Sequence, residues 1–257
     1  MTMAKHPFEG LGMSKEDRIG FWEEYSSAYG TMHQGDMPGR IVSRLDELGM
    51  LKGDVIEIGS GPGTYSIPMA RHASRVICLD SSEGMLRRLK ASAGSEGLTN
   101  IETVLGDWER HVPGSKADLC ISTLAPTSSP ESLRRMESFS DGWCAIVSWI
   151  RNEGDDLTTG IWNALGKDFG FERGTSPAEE WLRSNGRDPI VERFETHVSS
   201  SVPLDDLIGM KRCAFRAYGC EKDVGPIVKE LTEPYTEDGI VRIEEDNSLR
   251  LLHWKII

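Results

Sequence analysis

The sequence lacks the features that mark exported and membrane-bound proteins. No run of apolar residues approaches the roughly 18 that a membrane-spanning helix needs. The first ten residues, MTMAKHPFEG, contain no apolar core of a signal peptide. The five cysteines are odd in number, and no two of them have C-x-x-C spacing. We therefore expect a cytoplasmic protein with reduced cysteines and no membrane partner.

Positive charge is also scarce. The chain has 29 lysines and arginines against 41 aspartates and glutamates, which gives a formal net charge of −12. Binding to nucleic-acid phosphates needs a basic surface, so free nucleic acid is not an expected partner. What the chain does have is length: 257 residues, 38% of them hydrophobic, can form one large α/β domain or such a domain with a cap.

Residues 54–150 alternate short apolar or β-branched runs with longer helical patterns. Apolar strands separated by helices are typical of a parallel sheet that is covered on both faces, and right-handed crossovers make such a sheet doubly wound. The predicted strands are DVIEIG (54–59), RVICLD (75–80), IETVLG (101–106), ADLCIST (117–123) and WCAIVSWI (143–150).

The flanking segments read differently. Residues 1–50 contain two amphipathic helical patterns and are predicted to form an N-terminal lid. Residues 151–235 are predicted to form a mostly helical cap for the substrate, with one strand-like piece at 190–198. Residues 236–257 contain two β-rich runs on either side of Asp246-Asn247-Ser248, which is turn chemistry and predicts a hairpin.

The predicted fold is therefore α/β. A doubly wound, mostly parallel seven-stranded sheet has its cofactor-binding core in residues 51–150 and is completed by the C-terminal antiparallel hairpin. The mostly helical cap is an insertion in this architecture.

A glycine-rich stretch, EIGSGPG at residues 57–63, directly follows the first predicted strand. Ligands of doubly wound sheets bind at the carboxyl ends of the strands, and glycines let a ligand lie close to the backbone. The dinucleotide fingerprint G-x-G-x-x-G would need a glycine at Thr64. An ordinary tight turn between strand and helix would also explain these glycines.

Residues 57–63 resemble motif I, E/D-x-G-x-G-x-G, of the class I S-adenosylmethionine-dependent methyltransferases. Further features follow in the order that this family leads us to expect. They are Asp80 at the end of the second strand, GDW at 106–108 and ADLCISTLAP at 117–126, which resembles motif IV. The resemblance covers residues 20–150 and the terminal hairpin.

The resemblance implies S-adenosylmethionine as cofactor. Glu57 would favour its ammonium and sulfonium charges. Asp80 would accept hydrogen bonds from the ribose hydroxyls, although a helix N-cap role is compatible with the same position. Asp107 would receive the adenine amino group, and Trp108 would pack on the ring. The expected cofactor-binding residues are Glu57, Gly59, Ser60, Gly61, Gly63, Asp80, Ser81, Asp107, Trp108, Thr123 and Tyr25.

Methyl transfer from a sulfonium is an in-line displacement, so alignment matters most and a general base is optional. The catalytic candidates are His33 and Tyr29, in the predicted lid with Tyr25. Packing of a lid helix would equally explain the two tyrosines, and a surface loop would explain the histidine. His197, in the cap strand, is a further candidate with the same ambiguity.

The expected function is methyl transfer to a small molecule held under the cap. The loop STLAPTSSP (122–130) lacks the N/D-P-P-Y/F/W pattern that receives exocyclic amines, which argues against nucleic-acid bases as acceptors. No metal-ligand set is expected. One alternative is a methyltransferase-like protein that modifies or binds a protein partner. The other is an NAD-linked oxidoreductase, against which the displaced third glycine, the GDW stretch and the terminal hairpin all count.

Overall fold

A computed structural model describes residues 14–26, 35–125, 127–152, 156–166, 177–217 and 219–256. The chain divides into two compact units. The core unit consists of Asp36–Ile150, Gly174–Phe194 and Ser248–Ile257. The accessory unit consists of Met1–Gly35, Arg151–Arg173 and Glu195–Asn247.

The helices in the described ranges are α1 (Lys15–Tyr25), α2 (Met37–Glu47), α3 (Ser66–Ala70), α4 (Glu83–Ser95), α5 (Pro130–Glu137), α6 (Asp156–Ala164), α7 (Pro177–Ser184), α8 (Leu204–Ala217) and α9 (Gly225–Thr232), followed by a short 3-10 helix (Glu233–Tyr235). The strands are β1 (Asp54–Ile58), β2 (Arg75–Asp80), β3 (Ile101–Leu105), β4 (Ala117–Thr123), β5 (Ser140–Asn152), β6 (Ile190–Pro203), β7 (Thr236–Glu237) and β8 (Ile240–Lys255).

The strands form one sheet in the order β3-β2-β1-β4-β5-β8-β6, and the short strand β7 pairs with β8 outside this path. The neighbours among β1 to β5 are all parallel. This arrangement confirms the predicted α/β class and its doubly wound, mostly parallel sheet of seven main strands. The strand order reverses between β1 and β4, so the carboxyl ends of these two strands border the crevice in which such folds bind ligands.

The C-terminal strand is antiparallel to its neighbours. Ile256, just beyond the end of β8, donates its N–H to the carbonyl of Gly142 near the start of β5. Ser199 of β6 donates to Glu244 of β8 at 2.8 Å, and His197 contacts Asp246, so the residue numbers run in opposite directions here too. The predicted antiparallel ending is therefore confirmed.

The predicted turn at residues 246–248 is wrong, because β8 continues through it and the Asn247 side chain is buried. The hairpin turn lies at Asp238 and Gly239, between β7 and β8, where the φ angles are 50° and 76°. Two successive positive φ angles define the two-residue turn for which Asp-Gly is a preferred sequence. The Asp-Gly pair was thus the better turn signal.

Local sequence explains how the helices of the core unit begin. The hydroxyl of Ser82 accepts a hydrogen bond from the N–H of Met85 at 3.1 Å and caps α4. Ser129 caps α5 in the same way through Ser132 at 3.1 Å, with a proline in the first turn. Side-chain caps of this kind satisfy N–H groups that the helix itself leaves unpaired.

Each face of the core sheet carries its own apolar cluster. Val55 of β1 packs with Leu45 of α2 and Leu89 of α4 on one face. Ile56 packs with Leu133 of α5 on the other, which we call the α5 face. Neighbouring residues of a strand point to opposite faces, so the apolar residues of β1 are covered on both sides of the sheet.

The accessory unit is mostly helical with parts of β5, β6 and β8. The side chain of Arg216 in α8 pairs with Glu24 of α1, and the rings of Trp162 and Phe215 lie 4.7 Å apart. The unit boundaries differ from the predicted ones, since α2 and residues 174–194 belong to the core unit. That residues 151–235 hold substrate stays a prediction. No helix in the described ranges combines the length and apolar character needed to cross a membrane.

A partly buried ion pair fixes residues 174–194 to the core sheet. The carboxylate of Glu137, at the end of α5, accepts hydrogen bonds from Nε and Nη2 of Arg187 at 2.7 and 2.9 Å. It also accepts one from Nε1 of Trp254 in β8 at 3.0 Å. The side chains of Glu137 and Arg187 are only 13% and 24% exposed. Loss of the charge on Glu137 would therefore leave a poorly solvated guanidinium.

We predict that Glu137→Gln lowers the free energy of unfolding by about 2–4 kcal/mol, because breaking a buried ion pair strands the remaining charge. The matched control is Asp141→Asn, which removes an exposed pair with Lys116 and costs about 0.5 kcal/mol or less. Urea denaturation of both variants measures the difference. Equal losses would show that the Glu137 pair is energetically an ordinary surface pair.

Candidate cofactor site

The glycine loop between β1 and α3 has three residues with left-handed backbone. The φ angles of Gly59, Gly61 and Gly63 are 68°, 53° and 93°. A Cβ at Gly59 would approach Cβ of Ala125 to 2.8 Å, and one at Gly63 would meet Leu89 at 3.0 Å. A Cβ at Gly61 would meet nothing within 4 Å. Two of the glycines are therefore needed for close packing, whereas Gly61 borders open space.

Asp80 at the end of β2 holds the glycine loop from the next strand. Its Oδ2 accepts a hydrogen bond from the N–H of Gly61 at 2.8 Å, and its Oδ1 accepts one from Ser82 at 2.9 Å. The helix cap is Ser82, so the alternative of Asp80 as N-cap is wrong. Ser81 lies half-buried in the same turn.

Glu57 in β1 lies beneath this loop and is fully buried. Its Oε1 accepts a hydrogen bond from Oγ1 of Thr123 at 2.6 Å, and its Oε2 accepts one from the hydroxyl of Ser66. The pKa of Glu57 is raised to about 7, mainly by burial; the two hydroxyls oppose this rise, and the charge of Asp80 contributes to it. The carboxylate thus joins β1, β4 and α3, and it faces no cation in the described structure.

Two buried serines at the same edge of the sheet have unsatisfied hydroxyls. Within the described structure, the Oγ atoms of Ser60 in the loop and Ser122 in β4 have no hydrogen-bond partner. Ser122 is paired in register with Ile58, the last residue of β1. Buried polar groups are nearly always satisfied by protein, water or ligand. These hydroxyls therefore give the crevice hydrogen-bonding capacity.

The GDW stretch lies beside Asp80. The N–H of Gly106 donates to the carbonyl of Asp80 at 2.9 Å, which sets the turn after β3 against the end of β2. Oδ1 of Asp107 accepts a hydrogen bond from the N–H of Glu109 at 3.0 Å. Trp108 is partly buried and packs against the α5-face cluster. The structure thus places Asp107 and Trp108 at the same sheet edge as Asp80.

The structure describes only one of the three site residues predicted in the lid. Tyr25 belongs to α1 in the accessory unit, where it is buried and its ring stacks on Phe21 at 5.2 Å. Tyr29 and His33 lie outside the described residues. The described ring contact of Tyr25 is one of helix packing, and its contact with the cofactor stays a prediction.

His197 lies between two carboxylates of β8. Its Nδ1 lies 2.7 Å from Oδ1 of Asp246, and its Nε2 lies 2.9 Å from Oε2 of Glu244. Both carboxylates raise the pKa of His197 by stabilising the imidazolium, which donates from both nitrogens. Among the described residues, no group of three histidines, cysteines, aspartates or glutamates is arranged to hold a metal ion.

The sequence reasoning missed three serines of this site. Ser66 bonds Glu57, Ser82 caps α4 beside Asp80, and Ser122 is an unsatisfied buried hydroxyl. Ser82 carried a readable signal, since a serine before a helical pattern is a common cap. Ser66 and Ser122 carried no such signal in the sequence, because their roles depend on burial against other helices and strands.

Comparison with known proteins agrees with this geometry. Residues 55–139 match the model of a family described as a methyltransferase domain. This segment contains β1 to β4, the glycine loop, Asp80 and the GDW stretch. Residues 55–139 are thus the part of this chain that matches a methyltransferase domain, and we call them the methyltransferase domain below.

The names of relatives that match the methyltransferase domain indicate different methyl acceptors. A probable ribosomal RNA small subunit methyltransferase A of Methanosphaera stadtmanae is 36% identical over 84 residues, which are 32% of this chain and 31% of that protein. A protein-L-isoaspartate O-methyltransferase of Halorhodospira halophila is 31% identical over 109 residues, 40% of this chain and 47% of that protein. This chain thus spans less than half the length of either relative.

Solved structures extend the likeness of the fold beyond the methyltransferase domain. Magnesium protoporphyrin IX methyltransferase from Synechocystis PCC 6803, solved with bound SAH, matches with a TM-score of 0.58 and 15% identity. The match covers 95% of this chain and 100% of that one. At this identity the likeness shows the fold alone.

The buried carboxylate of the methyltransferase domain should make stability depend on pH. The pKa of Glu57 is raised from 4.5 to about 7 in the folded state, so the folded protein binds the proton more tightly than the unfolded chain does. Stability should then fall by about 3 kcal/mol as the pH rises from 4.5 to 7. We predict that Glu57→Gln, which keeps the shape without the charge, loses this dependence.

The measurement is the free energy of unfolding of the wild type minus that of Glu57→Gln, from urea denaturation between pH 4.5 and 8. Glu230→Gln, which removes an exposed carboxylate, is the control for the change in net charge. A difference that stays constant across this range would contradict the raised pKa of Glu57.

Proposed function

We propose that the chain is an S-adenosylmethionine-dependent methyltransferase. The observation that carries the proposal is the buried carboxylate of Glu57, which faces no cation among the described residues and lies below a loop whose Gly61 borders open space. A cation placed there would relieve the cost of the buried charge. The cofactor carries two positive groups, an ammonium and a sulfonium, and no phosphate. The loop correspondingly has no basic residue between 57 and 65.

The residues at the sheet edge fit the remaining parts of this cofactor. Asp80, whose carboxylate bonds Gly61 and Ser82 at the end of β2, is the residue proposed to accept hydrogen bonds from the ribose hydroxyls. Asp107 and Trp108, beside the end of β2, are the residues proposed for the adenine amino group and ring. The matching domain and the SAH in the similar solved structure support the same cofactor.

When bound, the cofactor supplies an activated methyl group for in-line displacement by a nucleophile. The protein then has to orient the acceptor and to exclude water. Glu57 and Asp80 would fix the two ends of the cofactor, and the hydroxyl of Ser122 at the end of β4 would be available to the acceptor side. No proton-transfer residue is required if the nucleophile is already ionised.

We further propose a small molecule as methyl acceptor. The net charge of −12 and the absence of an N/D-P-P-Y/F/W loop after β4 support it over a nucleic acid. The relatives named for ribosomal RNA and for protein modification provide the competing acceptor classes.

Transfer of a labelled methyl group tests both parts of the proposal. Purified protein is incubated with methyl-labelled S-adenosylmethionine and, separately, with a metabolite extract, total RNA or a protein extract. We expect label only in the small-molecule fraction. Label in RNA or protein would overturn the proposal of a small-molecule acceptor, but it would support the proposed methyltransferase activity. Absence of cofactor binding by calorimetry would overturn the activity itself.

Cofactor binding should depend on the open space at Gly61. Gly61→Val places a branched side chain where the methionine portion of the cofactor would lie, so we predict loss of at least about 100-fold in affinity, on the order of 3 kcal/mol. The matched control is Gly97→Val, which has a similar φ of 69° and no atom within 4 Å of an added Cβ.

Both variants should lose a similar 1–2 kcal/mol of stability through left-handed backbone. Calorimetry with S-adenosylmethionine, and with NAD as the competing ligand, separates the two effects. If Gly61→Val binds as well as Gly97→Val, the loop is only a tight turn. Binding of NAD by the wild type would favour the oxidoreductase.

A further inference from the structure

The arginines of the core unit are generally paired. Arg44 donates to Glu192 at 2.7 Å, Arg183 to Glu179 at 3.0 Å, and Arg187 is held by Glu137. Arg250 in β8 is different, because in the described part of the chain it makes no hydrogen bond or ion pair. Its Nε is buried without a partner.

Arg250 lies at the edge of the sheet where ligands bind. Since β5 and β8 are antiparallel and residue 256 bonds residue 142, residue 250 lies opposite residue 148. Residue 148 follows Val147, which is in register with Thr123 at the carboxyl end of β4. Arg250 therefore lies level with the carboxyl end of β4, on the second strand beyond it, so it is at the end of the sheet at which doubly wound folds bind ligands.

Arg250 and the unsatisfied hydroxyl of Ser122 are on the same face of the sheet. Leu252 and Trp254, which alternate with Arg250 along β8, belong to the α5-face cluster. Cys120, two residues before Ser122 in β4, belongs to it as well. A charged donor and a hydroxyl, both unpartnered in the described structure, thus face the same side of one sheet edge.

Among the described residues, Arg250 has no acid of its own as an ion-pair partner. Glu179 of α7 is the carboxylate that acts on it, and Oε1 of Glu179 accepts hydrogen bonds from Arg183 at 3.0 and 3.2 Å. Burial lowers the pKa of Arg250, and the attraction of Glu179 only partly opposes this effect. A half-buried guanidinium without an acceptor is costly unless something else binds it.

We propose that Arg250 binds a carboxylate group of the methyl acceptor. A guanidinium is a planar fork that matches a carboxylate with two parallel hydrogen bonds. One carboxylate would neutralise one arginine, whereas a phosphate dianion would leave a negative charge close to Glu179. Arg250 is then a residue that determines acceptor specificity. The inference rests on the proposed function, which supplies the acceptor, but its anion site can be tested separately.

The direct test is NMR of the arginine Nε–H groups in the full-length protein. We expect the Arg250 signal to shift in a saturable way with benzoate, and not with the neutral analogue benzamide, at constant ionic strength. Arg135 provides an internal control, because its Nε is also buried without a partner while its Nη2 donates to the carbonyl of His111. The Arg135 signal should stay in place.

Two variants separate binding from general charge effects. Arg250→Met should lose the shifting signal and the increase in melting temperature that benzoate gives the wild type. Arg134→Met removes the same charge from α5, where the guanidinium lies over Trp181, and should keep both responses. No saturable shift in the wild type, an equal benzoate response in Arg250→Met, or tighter binding of inorganic phosphate than of benzoate would each overturn the proposal.

Calorimetry with S-adenosylmethionine distinguishes this inference from the proposed function. Arg250→Met should bind the cofactor as the wild type does, since Arg250 is not among the residues proposed to hold it. Loss of the benzoate response with intact cofactor binding would support the acceptor role. If the wild type responds to benzoate but binds no cofactor, the anion site at Arg250 is supported and the proposed methyltransferase activity is rejected.

Discussion

The buried carboxylate of Glu57 is the constraint on which the candidate site depends. It lies at the end of a strand that is apolar on both faces, and its hydrogen bonds come from Ser66 of α3 and Thr123 of β4. These contacts hold the two sides of the crevice together where the strand order reverses. A charge in such a place is costly, so the local structure is most favourable with a proton on Glu57 or a cation nearby.

The glycine loop follows from the same arrangement. Its backbone packs closely against neighbouring side chains at Gly59 and Gly63, and of the three glycines only Gly61 has free space beside it. Asp80 accepts a hydrogen bond from the N–H of Gly61, so the acidic group that we propose for the ribose also holds the loop in shape. Rigid support of this kind is what a site needs if it is to orient a ligand before chemistry occurs. The loop and the two acids therefore work as one assembly.

Much of the fold could be predicted from the sequence, because periodicity and β-branched runs report burial directly. The parallel strands β1 to β5 and the long β6 are where the patterns indicated. The prediction of a turn at residues 246–248 was wrong. Residue types that favour turns also occur within long strands where a neighbouring element covers them, as the buried Asn247 in β8 shows. Asp238-Gly239 has the positive φ angles that a hairpin turn demands.

The candidate site was predictable only in part. The sequence shows Glu57 and the glycines as one consecutive stretch, and it shows Asp80 at the end of a predicted strand. The roles of these residues toward a cofactor stay predictions. Ser66 and Arg250 depend on partners that are distant in the chain or absent, and no local pattern reports that. The unpaired state of Arg250 becomes visible only when β8 is placed beside β5.

The central claim is that a cationic cofactor compensates the buried charge of Glu57. Calorimetry of S-adenosylmethionine binding at pH 6.5, in buffers with different ionisation enthalpies, tests it directly, because the apparent enthalpy then reports protons released on binding. With the pKa of Glu57 raised to about 7, the free protein is largely protonated there, and the cation should expel that proton. We expect proton release in the wild type that is absent in Glu57→Gln. Tight binding with equal proton release in both proteins would contradict the account.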